Sequence, residues 1–261
     1  MIFRRTFSDI GGGCQFTGQV RWGERGSFLK GLEKLWSCYF NRFRREVLMK
    51  IGIIGSGAVA QTLGSGFIKH GHEVMLGART ISKLSEWVSQ NPWGRVGSPA
   101  EAAAFGESAV LAVKGTAALD ALHDTVGLNL RGKPVVDATN PIADLPPENG
   151  VLRFFTTGEE SLMERLQREY PDIHFVKAFN SVGHACMVNP SFNKGSKPTM
   201  FICGNDVAAK KIVSDMCVQF GWETEDLGKA EAARAIEPLC MLWCIPGLLH
   251  NDWWHAFKLL R

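Results

Sequence analysis

The 261-residue chain reads as an α/β protein, a doubly wound and mostly parallel sheet finished by C-terminal helices. Three observations predict this. An apolar strand, Lys50 to Ile54, runs into Gly55-Ser56-Gly57-Ala58-Val59-Ala60, a G-x-G-x-x-A turn. A helical pattern to His70 follows, and then a second short apolar strand, Glu73 to Leu76. Beyond it, continuous apolar runs such as Ala109 to Val113 alternate with helical segments, the pattern of strands buried on both faces.

Each position of the turn has a physical task. Gly55 permits the tight exit from the strand. Gly57 has no Cβ, so a pyrophosphate can approach the backbone there. Ala60 is small enough for the helix to pack close on the strand. The helix opening at Ala58 and Val59 aims free N–H groups and its positive dipole end at an anion, with Ser56 beside it. Strand, turn, helix and second strand together are the order of a Rossmann-type dinucleotide-binding unit.

The end of the second strand points to the nucleotide. A site for NAD carries Asp or Glu there, bonded to the ribose 2′-OH. This chain has Gly77-Ala78-Arg79-Thr80, with Lys83 one turn on. A guanidinium, a hydroxyl and an ammonium suit a 2′-phosphate, so the expected cofactor is NADP. The alternative is that Arg79 and Lys83 are solvated surface charges.

The remaining elements follow in order. A helix is expected near Ile81 to Ser89, N-capped by Thr80, and a short strand around Val96. Pro99 opens another helix at its first position. After the Ala109–Val113 strand, residues 117–126 read as helical, and Pro134 to Ala138 as a strand. The ends of these strands place Val113, Thr139 and Asn140 beside the glycine turn. There Thr139 and Asn140 could bond ribose or the nicotinamide amide, or serve only as Asn-Pro turn chemistry. Residues 142–160 read as a loop, Glu159 to Glu169 as a helix and His174 to Ala178 as a strand. The polar loop Phe179 to His184 then opens on the same edge. A strand (198–203), a helix (207–220) and a strand (223–227) come next. Two last helices are expected, Lys229 to Trp243 and Leu248 to Leu260, separated by Pro246-Gly247.

Composition sets limits. A 45% hydrophobic and 21% charged chain is ordinary for a globular protein. Its net charge of +3 comes from residues 1–48, where nine basic and four acidic residues give +5 and leave −2 for the rest. The body therefore offers no basic surface for nucleic acid. Seven cysteines are scattered without C-x-x-C spacing, and Cys240 and Cys244 lack a His pair to complete a zinc set, so no metal site is expected. They read as small hydrophobes in a reducing, cytoplasmic compartment. No run of 18 apolar residues occurs, so no transmembrane helix and no membrane partner are expected. Residues 1–48 read as a disordered upstream extension, with one amphipathic helix possible over Phe28 to Phe43 and Met49 placed as a natural initiator. Residues 49–261 then form the nucleotide-binding domain with a small C-terminal helical part.

From Met49 to Arg261 the chain resembles predicted dinucleotide-binding proteins related to the deazaflavin-dependent NADP oxidoreductase and to the cytosolic domain of the transmembrane metalloreductases. The residues that carry this are Lys50 to Ala60, Gly77-Ala78-Arg79, Lys177-Ala-Phe-Asn-Ser-Val-Gly183 and Ala256 to Arg261. The resemblance implies that Ser56 to Val59 hold the pyrophosphate and that Ala78, Arg79 and Lys83 surround the 2′-phosphate. It implies that Asn180, Val182 and His184 face the nicotinamide and a flavin-like ring, deazaflavin or flavin. The family often has Ser where Ala78 stands, and the deazaflavin enzyme has His where Asn180 stands.

Hydride transfer between two flat rings needs positioning more than acid–base chemistry. Asn180 is the candidate for orienting the ring or carboxamide, and His184, with Ser181, the candidate proton donor. The expected function is an NADP(H)-dependent oxidoreductase with a small redox acceptor. The alternatives are a reductase of a small carbonyl or imine, or a non-catalytic NADPH-binding sensor. The former usually carries a longer helical C-terminal domain than the 55 residues after Asp206 supply. The apolar stretch Leu239 to Leu249 with Trp253 and Trp254 reads mainly as core or homodimer interface. The other reading makes Trp243, Trp253 or Trp254 the lining of an acceptor pocket.

Overall fold

Eight strands make one sheet in the order β3-β2-β1-β4-β5-β6-β7-β8 in a computed structural model that describes residues 48–123, 125–192 and 197–261. The strands are β1 (Lys50–Ile54), β2 (Glu73–Gly77), β3 (Arg95–Gly97), β4 (Ser108–Leu111), β5 (Pro134–Asp137), β6 (His174–Lys177), β7 (Thr199–Gly204) and β8 (Glu223–Asp226). All neighbours are parallel except β6 and β7. The helices are α1 (Ala58–Lys69), α2 (Ser85–Gln90), α3 (Pro99–Phe105), α4 (Thr125–Leu130), α5 (Leu162–Glu169), α6 (Val207–Gln219), α7 (Ala233–Ile236) and α8 (Pro238–His250). The doubly wound expectation is met. The readings made for residues 1–47, the extension and its Phe28–Phe43 helix, lie outside the described residues.

The apolar runs are continuous because both faces of the sheet are covered. The register sets Ile53, Val110, Val136 and Val176 in one row across four strands. That row belongs to one core, with Leu63, Phe67 and Phe220. Their strand neighbours Ile54, Leu111, Val135 and Phe175 point to the opposite face, into a second core with Leu122, Leu162 and Leu166. Each of these fully buried side chains contributes roughly 1.5–3 kcal/mol.

Several local expectations change. Thr80 makes no side-chain cap; a 3₁₀ turn over Ile81–Leu84 intervenes, and α2 starts only at Ser85. Residues 117–126 are not one helix but two 3₁₀ turns, Gly115–Ala117 and Asp120–Leu122, ahead of α4. The helix expected from Glu159 starts at Leu162, because Ser161 and Glu164 form a capping box.

The C terminus departs most. Pro246 does not end a helix: α8 runs through it to His250 and stops where Asn251 adopts a left-handed φ of 56°. The predicted last helix is absent, and residues 251–261 fold back as irregular chain. Trp253 lies so close on Gly247 that an added Cβ would sit 2.2 Å from its ring. Trp243 Nε1 donates to the His255 carbonyl at 2.8 Å, and His255 Nε2 lies 2.9 Å from the Trp243 carbonyl. These contacts hold the returning chain against α8 on both sides of Pro246. Further on, Thr199 N donates to the Phe257 carbonyl and Leu259 N to Thr199 Oγ1.

The stretch Ala230–His250 is, by length and a mean hydropathy of 1.3 over its most apolar window, long and apolar enough to cross a membrane, although it contains no unbroken run of 18 apolar residues. A third of its most apolar 18-residue window is buried inside this fold, and its Glu237 is an internal ion-pair partner.

Candidate functional site

The strand order reverses between β1 and β4, which opens a crevice at the carboxyl ends of the strands. The glycine turn stands in it. Gly55 has φ 142°, and a Cβ there would lie 2.2 Å from the Ala112 carbonyl oxygen, so only glycine lets β1 turn past β4. Gly57 has open space where a Cβ would be. It begins α1 with no side-chain cap, and the first turn carries no acid. The N–H groups of that turn, at exposed Ala58 and half-buried Val59, are thus left for an incoming anion. Half-buried Ser56 borders them, its carbonyl held by Gln61 Nε2 at 2.9 Å.

At the end of β2, Ala78 is 5% exposed and spends its N–H on the Gly97 carbonyl, so it offers the site only shape and a carbonyl. Arg79, Thr80 and Lys83 are exposed, and none of their side chains has an ion-pair or hydrogen-bond partner among the described residues. Val113 is half-buried just beyond β4.

Two expected contacts turn out to be engaged inside the protein. Thr139 is 1% exposed; its hydroxyl donates to Asp137 Oδ1 at 2.6 Å and its N–H to the same oxygen at 2.9 Å. It is turned inward and is not a free ribose ligand. Trp243 is 6% exposed and stacked on His255, so it lines no open pocket, whereas Trp253 and Trp254 are exposed.

The loop after β6 is locked. Phe179, fully buried, has a left-handed φ of 60°, a strained value for an aromatic residue, and its N–H faces Met200 Sδ at 3.1 Å. This bend aims Asn180 back at Asn140. Asn140 Nδ2 donates to the Asn180 carbonyl at 2.8 Å; Asn180 Nδ2 donates to Asn140 Oδ1 and to the Ile236 carbonyl, both at 3.1 Å. Because both acceptors are oxygens, the amide orientation is fixed, and Asn180 Oδ1 is left buried without a hydrogen-bond partner. Val182 and Ser181 are both buried, whereas His184 is exposed at the start of a 3₁₀ turn, Gly183 forming its N-cap.

Beneath these loops lies a cluster that sequence reasoning passed over. Lys177 is fully buried, with Nζ 2.7 Å from Asp137 Oδ2, 2.9 Å from Glu237 Oε1 and 3.0 Å from the Thr139 carbonyl. Glu237 also accepts the N–H groups of Leu162 and Met163, at 3.0 Å each, at the start of α5. Burial acts to lower the Lys177 pKa, but the charges of Asp137 and Glu237 reverse this and hold it above the ordinary lysine value. The signal was present: an Asp and a Lys end two apolar strands whose neighbours are wholly buried, where a charge requires a partner.

With this geometry in place the chain can be compared with known proteins. Residues 50–141 match the family model described as NADP oxidoreductase, coenzyme F420-dependent. A crystal structure of a candidate F420-dependent NADP reductase from Arthrobacter sp. FB24 superimposes with a TM-score of 0.75 at 30% identity, covering 82% of this chain and all of that one. The chain belongs to this family. The family is one of NADP-dependent oxidoreductases, and the fold is its fold. The F420-dependent NADP reductase of Methanocaldococcus jannaschii is 31% identical over 114 residues, 43% of this chain and 50% of that protein. The metalloreductase STEAP3 of Rattus norvegicus is 30% identical over 206 residues, 77% of this chain but 39% of that protein. The chain thus spans about two fifths of the length of the curated metalloreductase it matches.

Proposed function

We propose that the chain is an oxidoreductase that binds NADP(H) with the pyrophosphate on the start of α1 and the 2′-phosphate among Arg79, Thr80 and Lys83. In this reading hydride passes between the nicotinamide and a small, flat, flavin-like acceptor. The observation that carries it is the end of β2, where a guanidinium without a partner among the described residues stands with no acid, beside an uncapped helix start. NADP(H) supplies an anion for each feature, its pyrophosphate for the helix start and its 2′-phosphate for Arg79. When bound, the nicotinamide contributes the carbon that gives or takes hydride. The chain's own part is orientation: Asn180 Oδ1 is a buried acceptor in need of a donor, and a carboxamide N–H meets that need. The names of the relatives favour a deazaflavin or flavin as the acceptor class.

The test mixes the full chain with NADPH and either riboflavin or a 5-deazaflavin under anaerobic conditions and follows loss of the dihydronicotinamide absorbance. Acceptor-dependent oxidation is expected, reduced at least tenfold in Asn180→Ala with a smaller change in NADPH affinity. NADPH binding without oxidation by either acceptor would contradict the transfer half of the proposal and leave a binding protein.

A further inference from the structure

The adenine end of the proposed cofactor is fixed at β2 and its pyrophosphate at β1. Sheet order then gives the direction of the other half. Strands β4, β5 and β6 follow β1 in sequence across the sheet, so the nicotinamide half extends over their carboxyl ends. From β2 to β5 is three strand spacings of about 4.8 Å each, the reach of an extended dinucleotide. At that place stand Asn140, three residues beyond the end of β5, and Asn180, on the loop after β6.

Neither asparagine rests on a rigid element of its own. Both sit on loops, and both are held from below by one cluster. Thr139 is fastened at three atoms: its N–H and hydroxyl on Asp137 Oδ1, and its carbonyl on Lys177 Nζ. Asn140 is the next residue. Asn180 is tied to Asn140 and to the Ile236 carbonyl. Ile236 in turn is followed by Glu237, the second carboxylate on Lys177. One ammonium therefore joins the ends of β5 and β6 to the C-terminal helices and, through Glu237, to the start of α5. We infer that Lys177, with Asp137 and Glu237, is the positioning centre of the nicotinamide half of the site, holding Asn140 and Asn180 in register although none of the three touches the cofactor. The inference rests on the reading that NADP(H) lies across the β1–α1 turn.

Two ligands separate positioning from general stability. NADPH contacts both halves of the site, whereas adenosine 2′,5′-bisphosphate contacts only the adenine half. The variant is Lys177→Met combined with Asp137→Asn, which removes the ammonium without changing the cluster's net charge of one negative. Its affinities for both ligands are measured by calorimetry on the full chain. The expected result is a loss of about tenfold or more in NADPH affinity, with that for the bisphosphate unchanged within about twofold. Equal loss for both ligands, or no loss for either, would overturn the inference. Should the double variant not fold, Thr139→Val, which removes only the hydroxyl link to Asp137, is measured in the same way and read by the same criterion. Wild-type protein that binds neither ligand would remove the underlying cofactor reading and this inference with it. Wild-type protein that binds both, with a variant that discriminates between neither, defeats the inference alone.

Discussion

Arg234 clamps Glu164 through two nitrogens, Nε on Oε2 at 2.9 Å and Nη2 on Oε1 at 2.5 Å, and so joins α7 to α5 across 70 residues of sequence. The same carboxylate closes the capping box of α5 by accepting from Ser161 N and Oγ. The Arg234 hydrogen bond and the Ser161 donors outweigh the opposing effect of burial and hold Glu164 down at about 2. A folded-state pKa below the unfolded one stabilises at high pH, and that stability is lost as pH falls.

Urea unfolding of the full chain should therefore show stability declining as pH drops from about 4.5 toward 2. Arg234 is 44% exposed, so solvent screening limits the pair. Arg234→Gln is expected to destabilise the chain modestly at neutral pH and to flatten that acid limb. An unchanged acid limb in the variant would show that Glu164 is not the group responsible.

The return of the tail onto α8 depends on the absence of a side chain at Gly247. In Gly247→Ala the new Cβ meets the Trp253 ring at 2.2 Å, and Trp253 must move. We expect a loss of about 1–3 kcal/mol in thermal or chaotrope unfolding, together with a shift in tryptophan emission. The same substitution made in a Trp253→Ala background should cost less than about 0.5 kcal/mol, because the clash is gone. Equal costs in both backgrounds would place the effect elsewhere.

The start of α3 offers a cleaner measure of local order. Ser98 Oγ accepts from Glu101 N while Glu101 Oε2 accepts from Ser98 N, a reciprocal pair beneath Pro99. Ser98→Ala removes the hydroxyl acceptor and should cost about 1 kcal/mol without altering nucleotide affinity. A change in affinity would mean that α3 shapes the crevice more than its packing on β1 suggests.

Much of this fold was written in the sequence, because strand burial on both faces produces unmistakable apolar runs at Ile51–Ile54, Ala109–Leu111 and Val135–Val136. The glycine turn was equally legible, since Gly55 is required by a φ that other residues rarely adopt. What was misread depended on partners distant in sequence. Pro246 looks like a breaker, yet α8 runs through it and the returning Trp253 and His255 pack against the helix on both sides. Thr80 is chemically a good cap, yet the chain enters a 3₁₀ turn there instead. Thr139 reads from sequence as either a cofactor contact or turn chemistry, because Thr-Asn at a strand end faces the crevice, whereas its hydroxyl is claimed by Asp137 two residues earlier. The Lys177–Asp137–Glu237 cluster draws on residues as many as 100 apart: Asp137 and Lys177 at the ends of apolar strands signal that partners are needed, but no local pattern names Glu237. The strained φ of Phe179 has no sequence signature either, yet it aims Asn180.

Arg79 is the residue on which the choice of nucleotide turns, and the most direct measurement is a parallel titration of the full chain and Arg79→Ala with NADPH and NADH, read by tryptophan quenching. The account predicts that the wild-type chain binds NADPH at least about tenfold more tightly than NADH, and that the variant loses most of this preference with NADH affinity unchanged. Equal or tighter binding of NADH by the wild-type chain, or a preference untouched by removing the guanidinium, would contradict it.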